Sequence, residues 1–122
     1  MSNSYRDLRV WEQSVDFSVR LYRMTNSFPT SEMYGLTSQM RRAAVSIPSN
    51  IAEGHERSRA EYANFLRIAR GSLAELETQT EIAARLGYLN AEQYGQLTAL
   101  LTSIGKQLTV LHRRIRNQDP AN

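Results

Sequence analysis

Gln39, Arg42, Ser46, Asn50 and Glu53 recur at three- and four-residue spacing, which puts two amides, a guanidinium, a hydroxyl and a carboxylate on one face of a helix. About 100° round the same helix runs an apolar stripe, Met33, Leu36, Met40, Ala44, Ile47 and Ile51, that belongs in a core. The polar stripe borders that core and must find partners. Arg42 and Glu53 lie about 16 Å apart along the axis, too far to pair, so each must look to another helix, where Glu75 and Glu77 are natural partners. Two readings follow: an internal network that fixes helix register, or a polar cleft that binds a ligand or a protein partner.

Arginine supplies the second set of candidates. The formal net charge is +3, and of the 15 basic residues all but Lys106 are arginine. Arg41, Arg42, Arg67, Arg70, Arg113, Arg114 and Arg116 are the candidate nucleic-acid contacts, because a guanidinium offers a planar, bidentate fork to phosphate. The alternative for the last group is that cations at a helix C-terminus simply answer the helix dipole.

Metal and covalent chemistry find little support. The di-iron bundle motif needs Glu three residues before an inward His, but Ala52 precedes His55 and Thr109 precedes His112 at that spacing. His55 reads as a loop residue and His112 as a helix-end residue. There is no cysteine, hence no thiolate nucleophile, zinc site or disulfide. No catalytic residue, metal ligand or cofactor is expected.

The elements that must position these residues are four helices, over about residues 8–26, 31–53, 59–86 and 91–116. The first follows a candidate cap at Asp7, ends before Phe28-Pro29, and carries two apolar stripes: Leu8, Trp11, Val15, Val19, Tyr22, and Val10, Ser14, Phe17, Leu21, Met24. One stripe serves the bundle core. The other, through Val10, Phe17, Leu21 and Met24, is the expected subunit contact. The second helix starts at Thr30 or Ser31, stops at Gly54, and contains Pro48, which frees the carbonyl of Ala44 and predicts a kink. The third opens on a capping box, Ser58 with Glu61, and carries Tyr62, Leu66, Ala69, Leu73, Leu76, Ala83 and Leu86 to Gly87, with Gly71 suggesting a close helix neighbour. The fourth opens on Asn90 with Gln93 and runs Tyr94, Leu97, Leu101, Ile104, Leu108, Leu111, Ile115.

Short links between long helices predict an all-α, antiparallel up-down-up-down four-helix bundle, one domain over residues 1–122. No signal-like segment or membrane-length apolar run is present, so a cytoplasmic protein without membrane contact is expected.

Four runs, Arg6–Trp11, Phe28–Leu36, Gln39–Gly54 and Phe65–Leu76, resemble the bacterial four helix bundle protein family, also called the 23S ribosomal RNA intervening-sequence protein family. The resemblance implies a homopentameric barrel of antiparallel bundles, no catalytic activity, and kinship with retroelement accessory proteins that bind nucleic acid and a reverse transcriptase. The expected partners are therefore further copies of the chain, RNA or DNA, and a protein partner; the alternative is a protein-interaction scaffold that ignores nucleic acid.

Overall fold

The computed structural model describes residues 4–117; residues 1–3 and 118–122 of the expected domain lie outside the described residues. Four helices carry the fold: α1 (Arg9–Thr25), α2 (Leu36–His55), α3 (Arg59–Arg85) and α4 (Ala91–Asn117), with single 3-10 turns at Tyr5–Asp7 and Thr30–Glu32. α2 packs against α1 and α3, and α3 against α4; the seam between α1 and α4 is the sparsest. Facing pairs run in opposite order along neighbouring helices: Ser46 meets Ser72 while Gly54 faces Tyr62 and Phe65, and Glu81 meets Tyr94 while Arg70 meets His112.

Helix starts follow local chemistry. Ser58 and Glu61 form the expected reciprocal capping box of α3. Asn90 and Gln93 do the same for α4, at 2.8 and 2.9 Å. α3 closes on Gly87, whose φ of +81° suits a residue without Cβ.

α2 departs from its expected start. Thr30–Glu32 forms only a 3-10 turn, and α2 begins five residues after Ser31, at Leu36. Glu32 folds back to accept from the Leu36 N–H at 3.2 Å and from the Tyr88 hydroxyl at 2.9 Å, so a carboxylate before the helix caps its positive end. Met33 consequently leaves the apolar stripe and is exposed. Asp7 does not cap α1 either, because it belongs to a 3-10 turn and Leu8 occupies the cap position without a side-chain bond. α2 stays one helix through Pro48, which is buried.

The core is built from Phe17 and Leu21 of α1, Met40, Ile47 and Ile51 of α2, Leu66 and Leu76 of α3, and Leu97, Leu101, Ile104 and Leu108 of α4, all at most 1% exposed. α1 therefore turns inward the stripe assigned to a subunit contact. Val10, Phe17 and Leu21 are buried within their own chain and Met24 is half-buried at the core margin, whereas Val19 and Tyr22 of the other stripe are exposed. The inward stripe is the one that carries a small hydroxyl, Ser14, with Ser18 beside it. Ser14 and Ser18 are buried because they bond to the carbonyls of Trp11 and Ser14, at 3.0 and 2.9 Å, which removes the cost of facing the interior. Leu86 is likewise exposed, since α3 ends at Arg85 and the turn carries Leu86 off the stripe.

Glycine roles are redistributed. Gly54 lies within α2, and a Cβ there would stand 2.7 Å from the Phe65 Cβ and 2.9 Å from Tyr62 Cδ1. The close approach expected at Gly71 is found here, while Gly71 has nothing within 4 Å of the place its Cβ would take. Tyr62 is packed into that contact, and burial pushes its hydroxyl pKa up to about 12. The pair is diagnostic: Gly54→Ala should destabilise the fold by about 1–3 kcal/mol through overpacking. Gly71→Ala should stabilise it by about 0.5–1 kcal/mol, as a helix-interior glycine in open space. Urea denaturation of both variants checks this, and a neutral Gly54→Ala would refute the assigned contact.

Candidate nucleic-acid and partner surfaces

The polar stripe of α2 divides in two. Its centre is knitted: Ser46 Oγ lies 2.8 Å from Ser72 Oγ across the α2–α3 seam, and Asn50 Nδ2 donates to Ser46 O and Oγ at 2.7 and 2.9 Å. Glu53 turns outward, not to another helix but to Arg57 one turn on, accepting from it at 2.5 and 3.2 Å. Arg57 is also 3.7 Å from Glu61. Gln39 and Arg42 stay exposed and, with Ser46, Ser72 and Glu75, line a cleft of about 350 Å³. Among the described residues no carboxylate lies within 4 Å of the Arg42 guanidinium, although Glu75 shares its cleft. Glu77 lies in a different groove, beside Arg70 and Lys106.

The candidate arginines also separate. Arg41 is tied down: it donates to Thr25 Oγ1 at 3.0 Å, to the Tyr22 carbonyl and Asn26 Oδ1 at 3.2 Å each, and its guanidinium stands 4.6 Å from the Tyr22 ring centroid. It links α2 to the last turn of α1, where unpaired carbonyls favour a cation.

Arg70 instead meets His112, and Arg67 and Arg116 are close enough to act on the same imidazole. Arg70 Nη1 lies 3.3 Å from His112 Nδ1, joining α3 to α4. The His112 pKa is held below its ordinary value, first by partial burial and then by the charges of Arg70, Arg116 and Arg67. No carboxylate occurs in residues 62–74 of α3 or 93–117 of α4, and among the described residues none is ion-paired to Arg67, Arg70 or Arg116, although Glu77 borders the cluster beside Arg70. Arg67 does donate to Asn64 Oδ1, at 2.7 Å, but that partner is uncharged. The sequence places His112 near a helix end, and no local signal adds it to a site, because its partner lies 42 positions away. Arg114 faces elsewhere, in a groove between α1 and α4 with Arg9 and Lys106; Arg113 is exposed on α4. His55 is the last residue of α2 rather than a loop residue, and its ring stands edge-on to Tyr5 and Tyr62. Among the described residues no three His, Asp or Glu side chains come together as a metal site would require.

The third feature is apolar. Val15, Val19 and Tyr22 of α1 with Val45 and Pro48 of α2 line an open groove of about 460 Å³; Val19, Tyr22 and Val45 are each more than 40% exposed. This is the unpartnered stripe of α1.

Four packed helices without a strand among the described residues define an all-α bundle. The family model described as 23S rRNA-intervening sequence protein matches residues 6–110, and the chain belongs to that family. A solved structure from Bacteroides thetaiotaomicron VPI-5482, described as a protein with unknown function from the S23 ribosomal protein family, is similar, with a TM-score of 0.79 and 29% sequence identity. The match covers 85% of this chain and 95% of that one. Comparison with curated proteins finds no match. Neither the family nor the similar structure indicates an enzymatic activity. No helix among the described residues is long and apolar enough to cross a membrane.

The His112 environment has a stability consequence. With its pKa lower in the folded than in the unfolded state, the unfolded chain takes up the proton first. Stability should therefore hold above the ordinary histidine value, near 6.5, and fall as pH drops below it. Denaturation midpoints should decline between about pH 7.5 and about pH 5.5, and His112→Gln should flatten that decline. An unchanged slope in the variant would refute the assignment.

Proposed function

We propose that the protein is a non-enzymatic, self-associating bundle whose α3–α4 face holds the phosphate backbone of RNA or DNA. The observation that carries the reading is the contact of Arg70 with His112, with Arg67 and Arg116 close enough to act on the same imidazole and, among the described residues, no carboxylate ion-paired to any of the three. The description of its family ties such proteins to 23S rRNA intervening sequences, which makes RNA the first ligand to test. Arg113, beside the cluster in sequence, and Arg42, exposed without a carboxylate partner, are secondary contacts; Arg41 is not counted, because its donors are engaged.

Self-association would multiply a modest charge. In the pentamer implied by the family resemblance, each basic cluster is repeated around a ring, and polyanion affinity grows with the number of phosphates neutralised. The surface we assign to that contact is the Val15, Val19, Tyr22 and Val45 face. Its exposed apolar side chains are the kind that association buries. The second reading, a protein-interaction scaffold, rests on the α2–α3 cleft with its unneutralised Arg42.

Two measurements test these statements. Labelled single-stranded RNA and duplex DNA, titrated at about 50 and about 200 mM salt, should show affinity falling steeply with salt, and Arg67→Ala with Arg70→Ala should weaken binding roughly tenfold or more. Absence of binding at the lower salt rejects the phosphate-binding role and leaves the scaffold reading. For the assembly, light scattering should report an oligomer that Val19→Glu with Val45→Glu converts to monomers. A monomeric parent protein, or an oligomer indifferent to both changes, rejects the assigned face.

A further inference from the structure

The sparsest seam of the bundle, between α1 and α4, carries a groove of about 400 Å³ unlike the basic face beside it. Its floor is Leu8, Val110 and Leu111, and its rim is Arg9 on one bank and Lys106 and Arg114 on the other. No carboxylate lines it. Gln107, the one uncharged polar side chain there, is already bonded to Gln13, which also accepts from Ser103.

The spacing on α4 is regular. Lys106, Val110 and Arg114 follow one another at four residues, so the three side chains share a stripe in which an aliphatic residue sits between two cations about 12 Å apart. Val110 is 50% exposed although Leu111 beside it is buried, so the middle of the stripe is an apolar surface without a neighbour. A phosphate backbone finds cations here but nothing to place against Val110 and Leu8. A helical peptide that alternates carboxylates with leucine meets both demands at once. Its leucines enter the floor, and its carboxylates pair with the cationic rim.

We propose that the α1–α4 groove is a docking site for an acidic amphipathic helix of a protein partner. The chemistry is helix-in-groove recognition, with apolar anchors fixing register and the cationic rim selecting acidic partners and speeding encounter. The site shares no residue with the Arg67, Arg70, Arg116 and His112 cluster, but Lys106 and Val110 also border Arg70, so the two surfaces adjoin and are told apart by their variants. Its small size suits a weak, reversible contact.

The probe is a labelled helical peptide of about four turns, with leucines on one face and glutamates on the other, titrated into the full chain by fluorescence anisotropy. Saturable binding is expected, together with a loss of roughly tenfold or more in Val110→Asp and in Arg9→Glu with Arg114→Glu. Arg67→Ala with Arg70→Ala should reduce the peptide affinity far less than Arg9→Glu with Arg114→Glu does, its large effect being confined to RNA. Circular dichroism reports whether each variant keeps its helices, and Val110→Thr, a smaller change, should still weaken binding. Equal affinity for the peptide with serine in place of leucine would overturn the proposal, because attraction would then be charge alone. So would a parent protein that does not bind the peptide but loses RNA binding on Val110→Asp, which assigns the groove to nucleic acid. Peptide-independent self-association abolished by Val110→Asp would overturn it in favour of a second copy of the chain.

Discussion

The separation of α2 and α3 at Gly54 governs much of what the molecule presents to solvent. With no Cβ at that position, the first turns of α3 approach until Tyr62 and Phe65 occupy the space a side chain would need. That approach brings Ser46 within hydrogen-bond reach of Ser72 farther along the seam. It also fixes the axis of α3, and therefore where Arg67 and Arg70 stand relative to α4. α4 is closed onto α3 by a second tight contact, where a Cβ on Gly105 would lie 3.0 Å from Leu73 Cδ2, and by Tyr94 donating to Glu81 at 2.7 Å. Interiors packed at crystal-like density transmit such spacing instead of absorbing it.

Electrostatics then sort the arginines by what surrounds them rather than by how they cluster in sequence. Arg41 and Arg42 are adjacent, yet one is absorbed into the end of α1 and the other is free to meet a ligand. Arg57 and Arg85 are held by glutamates four residues away, exposed pairs whose worth to stability is small. Arg67, Arg70 and Arg116 have no such neighbour and depress the ionisation of His112 instead. Like charges gathered on one face work against the compact state, and a polyanion is the natural counterweight. The apolar Val15–Val19–Tyr22 face shares no residue with the arginine cluster, whereas the cationic groove beside Val110 adjoins it.

The helices, their apolar periods and two of their caps were legible because each is a local property. A three-to-four residue repeat such as Leu97, Leu101, Ile104, Leu108 can be satisfied only by a helix that buries one side. Ser58 with Glu61 and Asn90 with Gln93 satisfy backbone donors within one turn. Where the partner is distant in sequence, no local pattern reveals it. Glu32 caps α2 from outside it while also holding Tyr88, 56 residues away, and that displaced the expected start of the helix.

Sequence by itself determined that this chain is an all-α bundle with a continuous core, an arginine-rich surface and no cysteine chemistry, since composition and hydrophobic period are fixed residue by residue. Only the tertiary structure decided which of the two stripes of α1 faces inward, which glycine permits close approach, and which arginines remain unneutralised. Those outcomes depend on volumes and charges contributed by other helices. Phe17 is interior and Val19 exterior because three further helices left a space that Phe17 fills, and Arg70 meets His112 because two helices pack at a distance set elsewhere.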